Sequence, residues 1–117
     1  MLVGMVKEGK WNIDMESMKE EPEVIVEGKT ARSTVCVKNH TAICETKAAI
    51  LAGMANRFSS TIELHRGINK LNAKDVMMIE ALGLMKGTEF EIWANGEDAE
   101  EAVRSLAKLI INRFGEQ

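Results

Sequence analysis

From residue 33 the chain alternates between two hydrophobic periods. Thr34-Val35-Cys36-Val37 is β-branched and apolar and predicts a strand. Thr61-Ile62-Glu63-Leu64-His65 alternates, with Ile62 and Leu64 facing one way. Arg66-Gly67-Ile68-Asn69 supplies a turn, and Ile68 to Leu71 returns as a second strand, so these segments form a hairpin. Thr88 to Ala94 alternates most cleanly, with Phe90 and Ile92 on one face. Elsewhere the period is helical. Glu45 to Phe58 puts Ala48, Leu51, Ala55 and Phe58 on one stripe. Val76 to Leu82 is a short helix that Asp75 can cap and Gly83 can stop. Glu97 to Phe114 is the longest helix. Val103, Leu106, Ile110 and Phe114 form its buried stripe, and Glu97, Asp98, Glu100 and Glu101 load its start. The order strand, helix, strand, strand, helix, strand, helix is an α+β pattern, an antiparallel sheet with helices on one face.

Residues 1–30 read differently and are assigned as an N-terminal extension to a domain spanning 31–117. The extension holds the chain's single proline, Pro22, and the charged run Lys19-Glu20-Glu21. Glu23-Val24-Ile25-Val26-Glu27 is β-branched, closed by Gly28, and reads as a strand. Trp11, Ile13 and Val24-Ile25-Val26 carry apolar surface that a free tail would leave wet. Residues 11–27 are therefore expected to pack on the domain or on a second copy, with Val24-Ile25-Val26 added to a sheet edge.

Composition removes several classes of function. The 117 residues carry a net charge of −3, which gives no general pull toward nucleic acid. No apolar run approaches the roughly 20 residues of a membrane span. Met1 to Val6 is too short and lacks the basic start of a secretion signal, so the expected location is the cytoplasm. Cys36 and Cys44 form neither a CxxC pair nor a disulfide framework. There is no Ser-His-Asp set, no phosphate-cradling glycine loop and no zinc-like cluster. A non-enzyme without metal or cofactor is the expectation. Eight methionines and no tyrosine suggest an adaptable core first, and a Met-rich binding face second.

Four segments carry a family resemblance. Ala42-Ile43-Cys44-Glu45-Thr46-Lys47-Ala48 aligns with a Gly-Leu/Ile-His-Ala-Arg-Pro-Ala run. Asn72-Ala73-Lys74-Asp75-Val76-Met77 aligns with Ala-Lys-Ser-Ile/Leu-Met, and Leu82 to Thr88 with Leu-Gly-x-x-x-Gly. Ala94-Asn95-Gly96-Glu97-Asp98, followed by Ala102, aligns with Ala-x-Gly-x-Asp-x-x-x-Ala. Across residues 33–114, without a gap, the chain resembles HPr, the histidine-containing phosphocarrier of the sugar phosphotransferase system. The resemblance implies an open-faced β-sandwich with a four-stranded antiparallel sheet and three helices on one face. It also implies that the departures matter. The phosphorylatable His maps to Cys44, its neighbouring Arg to Thr46, the helix-starting Pro to Lys47 and the regulatory Ser to Asp75. Lys74 is retained.

The residues themselves allow two accounts of each departure. Cys44 stands at a helix start, where unpaired N–H groups and the dipole favour a thiolate. A thiolate is a competent nucleophile, so a phosphocysteine is chemically available. Against it, Glu45 is adjacent and like-charged, and Lys47 offers a point charge instead of a guanidinium fork. An inert Cys filling a vacated site is the preferred account. His40 and His65 read as surface residues. Asp75 is a helix cap, and it also places a permanent negative charge where the family adds a phosphate. In the family the short helix and the His loop form the partner surface. Cys44, Thr46, Lys47, Lys74, Asp75, Met77 and Met78 are therefore the candidate partner-binding residues, with Met77 expected outward and Ile79 inward.

The leading expectation is a regulatory or adaptor paralogue that works by protein–protein binding. Its partners would be proteins of the phosphotransferase or carbon-control type. The alternatives are a phosphocarrier using Cys44 and a structural module that oligomerises through residues 11–27.

Overall fold

The computed structural model describes residues 20–38 and 45–115. In chain order the elements are β1 (Ile25–Glu27), β2 (Thr30–Cys36), α1 (Glu45–Ala55), β3 (Thr61–Arg66), β4 (Asn69–Asn72), α2 (Val76–Leu82), β5 (Glu89–Asn95) and α3 (Ala99–Ile111). The strands form one sheet in the order β1-β2-β5-β3-β4, with every neighbouring pair antiparallel. The sheet has five strands where the family resemblance implies four. The additional strand is β1. Its two-residue turn, Gly28-Lys29, pairs Glu27 with Thr30 and needs the positive φ of 62° that Gly28 supplies.

Alternation sorts the two faces. Ala31, Val35, Ile62, Leu64, Phe90, Ile92 and Ala94 point inward and are buried. Over them lie Val103, Leu106, Ala107 and Ile110 of α3 and Ala48, Leu51, Ala52 and Ala55 of α1, all in the same core. The one polar strand residue in this layer, Ser33, is satisfied by donating to the Glu23 carbonyl at 2.6 Å. No helix among the described residues is long and apolar enough to cross a membrane.

Several element ends differ from expectation for local reasons. α1 stops at Ala55. Arg57 and Phe58 donate back to Met54 and Ala55, so the last expected turn tightens to i→i+3 bonds. α3 starts at Ala99, because the Asp98 carboxylate is engaged elsewhere (below). At its other end Arg113 and Phe114 take positive φ, and Phe114 reaches the core from that turn instead of from a helical stripe. Ile68 sits fully exposed at the hairpin tip, and the returning strand begins only at Asn69.

Candidate functional site

The short helix α2 is built as its sequence requires. Asp75 has extended backbone, and its Oδ1 accepts from the N–H groups of Met77 at 3.0 Å and Met78 at 3.3 Å. Two of the helix's unpaired donors are thereby satisfied. At the other end Gly83 is left-handed and closes onto the Glu80 carbonyl. The Arg66 guanidinium donates to the Leu82 carbonyl at 2.8 Å, placing a cation where the helix dipole favours one. Ile79 and Leu82 enter the core. Met77 and Met78 do not: they are 77% and 46% exposed, and Met85 just beyond the helix is exposed as well.

Lys74 works as a brace. Its Nζ donates to the Phe58 carbonyl at 2.8 Å, and Asn56 Nδ2 donates to the Lys74 carbonyl at 3.2 Å. These bonds hold the residues after α1 against the start of α2. An eleven-residue helix is roughly 16 Å long. The start of α1 and the Asp75 cap therefore mark opposite ends of a shared face, not one catalytic pocket.

At the start of α1, Thr46 is exposed, whereas Lys47 is only 8% exposed and is held by interactions of its own. Cys44 and His40 lie outside the described residues. Among the described residues no group of three or more His, Cys, Asp or Glu side chains could hold a metal ion. What the described part of the face offers is a fixed carboxylate beside flexible, polarisable thioethers, which is chemistry for docking.

Two constellations escaped the sequence reading. The first is on the open face of the sheet. His65 is not a surface residue, because its ring stacks on Trp93 with centroids 5.2 Å apart and planes at 17°. The Arg32 guanidinium carbon lies 5.3 Å from the indole centroid. Trp93 Nε1 donates to Glu91 at 2.7 Å, and His65 Nε2 lies 2.9 Å from Glu63 Oε1. The register Arg32↔Trp93↔Glu63 and the neighbouring row Glu91↔His65 create this cluster. The signal was present in the outward half of each alternating strand.

The second is Asp98. Its carboxylate accepts from the backbone N–H groups of Ser59 at 2.9 Å and Ser60 at 3.0 Å, and from the Ser60 hydroxyl. The Ser60 hydroxyl, followed by the Ser59 N–H, pulls its pKa from 3.8 to about 2. Asp98 thus ties the start of α3 to the segment before β3.

Comparison with known proteins places these features in context. The family model described as the PTS HPr component phosphorylation site matches residues 31–112. The HPr-like protein Crh of Bacillus subtilis (strain 168) is 36% identical over 74 residues, covering 63% of this chain and 87% of that protein. Among solved structures, HPr-C-His from Thermoanaerobacter tengcongensis is 37% identical with a TM-score of 0.70, covering 74% of this chain and 97% of that one. Crh from Bacillus subtilis, solved as a dimer with a swapped domain, is 35% identical with a TM-score of 0.57, covering 74% and 93%.

Proposed function

We propose that this chain, which belongs to the HPr family of the phosphoenolpyruvate-dependent sugar phosphotransferase system, is a regulatory or adaptor member that binds proteins and does not carry a phosphoryl group. It is not an enzyme in this reading. It acts in the cytoplasm on partners of the phosphotransferase or carbon-control type, and self-association through residues 11–27 is part of it. The observation that carries the reading is the pair of replacements at the family's two modifiable positions: Cys44 for the His and Asp75 for the Ser. Thr46 in place of the Arg removes the planar fork that suits a phosphoryl group. The partner surface comprises Cys44, Thr46, Lys47, Lys74, Asp75, Met77 and Met78. The exposure of Met77 and Met78 beside a constant carboxylate supports that assignment.

Incubation with phosphoenolpyruvate and Enzyme I tests the reading by intact mass. The expected result is no change. A phosphoryl adduct that disappears in Cys44→Ser would overturn it and make the chain a phosphocarrier through cysteine. A pull-down with the intact chain from its source cell then supplies the partner. Asp75→Asn should weaken that complex, because Asn caps as well as Asp but lacks the charge. Unchanged binding would reduce Asp75 to a cap.

A further inference from the structure

The two edges of the sheet are guarded unequally. β4 carries Lys70 in its interior, a charge of the kind that discourages edge-to-edge pairing. β1 has no such device. Its centre is Ile25 and Val26, which are 49% and 44% exposed. The edge is also held rigid from behind. Asn112 exchanges hydrogen bonds with the backbone of Glu20, Lys38 pairs with Glu20, and Lys108 pairs with Glu21.

The direction of the free backbone groups follows from the register. A two-residue turn makes Glu27 and Thr30 the closing pair, so Glu27 and Ile25 direct their N–H and C=O toward β2. The Glu23 carbonyl, which accepts from Ser33, keeps the same parity. Val24 and Val26 therefore direct theirs outward, to the open edge. A second copy pairing antiparallel on this edge must match even-numbered residues with even-numbered residues. Centring on Ile25 would set Glu23 against Glu27 of the copy, a like-charge pair, and would put Pro22, which lacks an N–H, at a hydrogen-bonding position. Centring on Val26 removes both faults. Val26 then faces its own copy, Val24 faces Gly28, and Glu23 faces Lys29. Lys29 already pairs with Glu97 at 2.5 Å, but both side chains are highly exposed, so Lys29 can serve both carboxylates.

We propose that β1 is a self-association edge, through which two copies join antiparallel about Val26 with Glu23 of each opposite Lys29 of the other, continuing the sheet across the pair. The proposal rests on the self-association named above and gives it a strand and a register. The register also gives the test. Sedimentation equilibrium of the full chain from about 10 μM to about 1 mM, where interfaces of this small size associate, should show a monomer–dimer equilibrium. Glu23→Lys sets two lysine pairs face to face, and Lys29→Glu sets two glutamate pairs. Each variant alone should dimerise about tenfold more weakly or worse. An equimolar mixture should recover the wild-type affinity, because every cross pair is again opposite in sign. Amide protection of Val26 should rise with concentration. A chain that stays monomeric throughout overturns the proposal. So does a dimer indifferent to both variants, which would leave self-association standing at another surface. Protection of Val24 and Val26 at every concentration in a monomer overturns it too, and identifies residues 1–19 as the strand's own cover.

Discussion

Gly96 is the position where the smallest change should cost the most. It lies where the end of β5, the β1–β2 turn and the start of α3 meet. Its N–H donates to the Lys29 carbonyl at 2.9 Å, and its carbonyl accepts from Ala99 at 3.3 Å. A Cβ placed on Gly96 would sit 2.5 Å from Ser60 Oγ, 2.9 Å from Ser60 Cα and 3.0 Å from Ser60 Cβ. Ser60 is buried and held by Asp98, so it cannot swing aside. The backbone adds a second penalty, because φ at Gly96 is 149°, which L side chains rarely adopt. Strain at such a φ costs roughly 1–3 kcal/mol, and overpacking a filled site costs roughly 1–3 kcal/mol more. Gly96→Ala should therefore destabilise the domain by at least about 2 kcal/mol, a fall of about 8 °C or more in melting temperature for a domain of this size. Thermal unfolding followed by circular dichroism measures it. Ser60→Gly removes Oγ and Cβ but leaves Cα and the φ strain, so the double variant should recover part of the loss, with coupling between the two sites. If Gly96→Ala melts within about 2 °C of the unaltered protein, or if the two changes simply add, the steric account is wrong.

Two further outcomes follow from the caps and ties. The Asp98 pKa is lowered from 3.8 to about 2, so its contribution is fully present above the unfolded value and is lost as pH falls through the folded one. The stability gap between the protein and Asp98→Asn should hold steady above about pH 4 and shrink toward about pH 2; a gap independent of pH would refute the charge-based tie. At α2, Asp75→Ala should cost about 1 kcal/mol in urea unfolding while Asp75→Asn stays within a few tenths, and equal losses would show that the carboxylate acts other than as a cap.

The legible part of this molecule was its inward half. Ile62, Leu64, Phe90 and Ile92 declared the buried face through strict alternation, and Val103, Leu106 and Ile110 declared the helix that covers it. The capping residues Asp75 and Gly83 were equally plain, because caps are local chemistry between neighbours in sequence. The less legible features depend on register. Nothing near His65 in sequence says that Trp93 lies beside it; that follows only once β3 and β5 pair with Glu91 opposite His65. Asp98 read as a charge at a helix start, yet its partners are Ser59 and Ser60, nearly forty positions away. The fifth strand was readable as a segment and as an edge addition, but the four-strand count came from the family pattern and not from the residues of Val24-Ile25-Val26.

The arrangement of α1 and α2 bears on how a phosphocarrier frame can become a binding module. Lys74 and Asn56 fix the residues after α1 to the start of α2, which keeps the two helix N-termini apart along a common face. Each N-terminus is an anion-favouring end that can be altered without disturbing the other. At the α2 end a carboxylate already satisfies two backbone donors, so the site is filled from within, and Met77 and Met78 stay exposed without help from a modification. At the α1 end, Thr46 and Cys44 require no guanidinium and no phosphoryl group for α1 to form; its buried residues Ala48, Leu51, Ala52 and Ala55 hold it by packing. The fold thus depends on the inward stripe and the caps, while the chemistry depended on a few outward residues. Replacing those residues costs the domain little and leaves its apolar face presented at all times, which is what a protein that signals by contact needs.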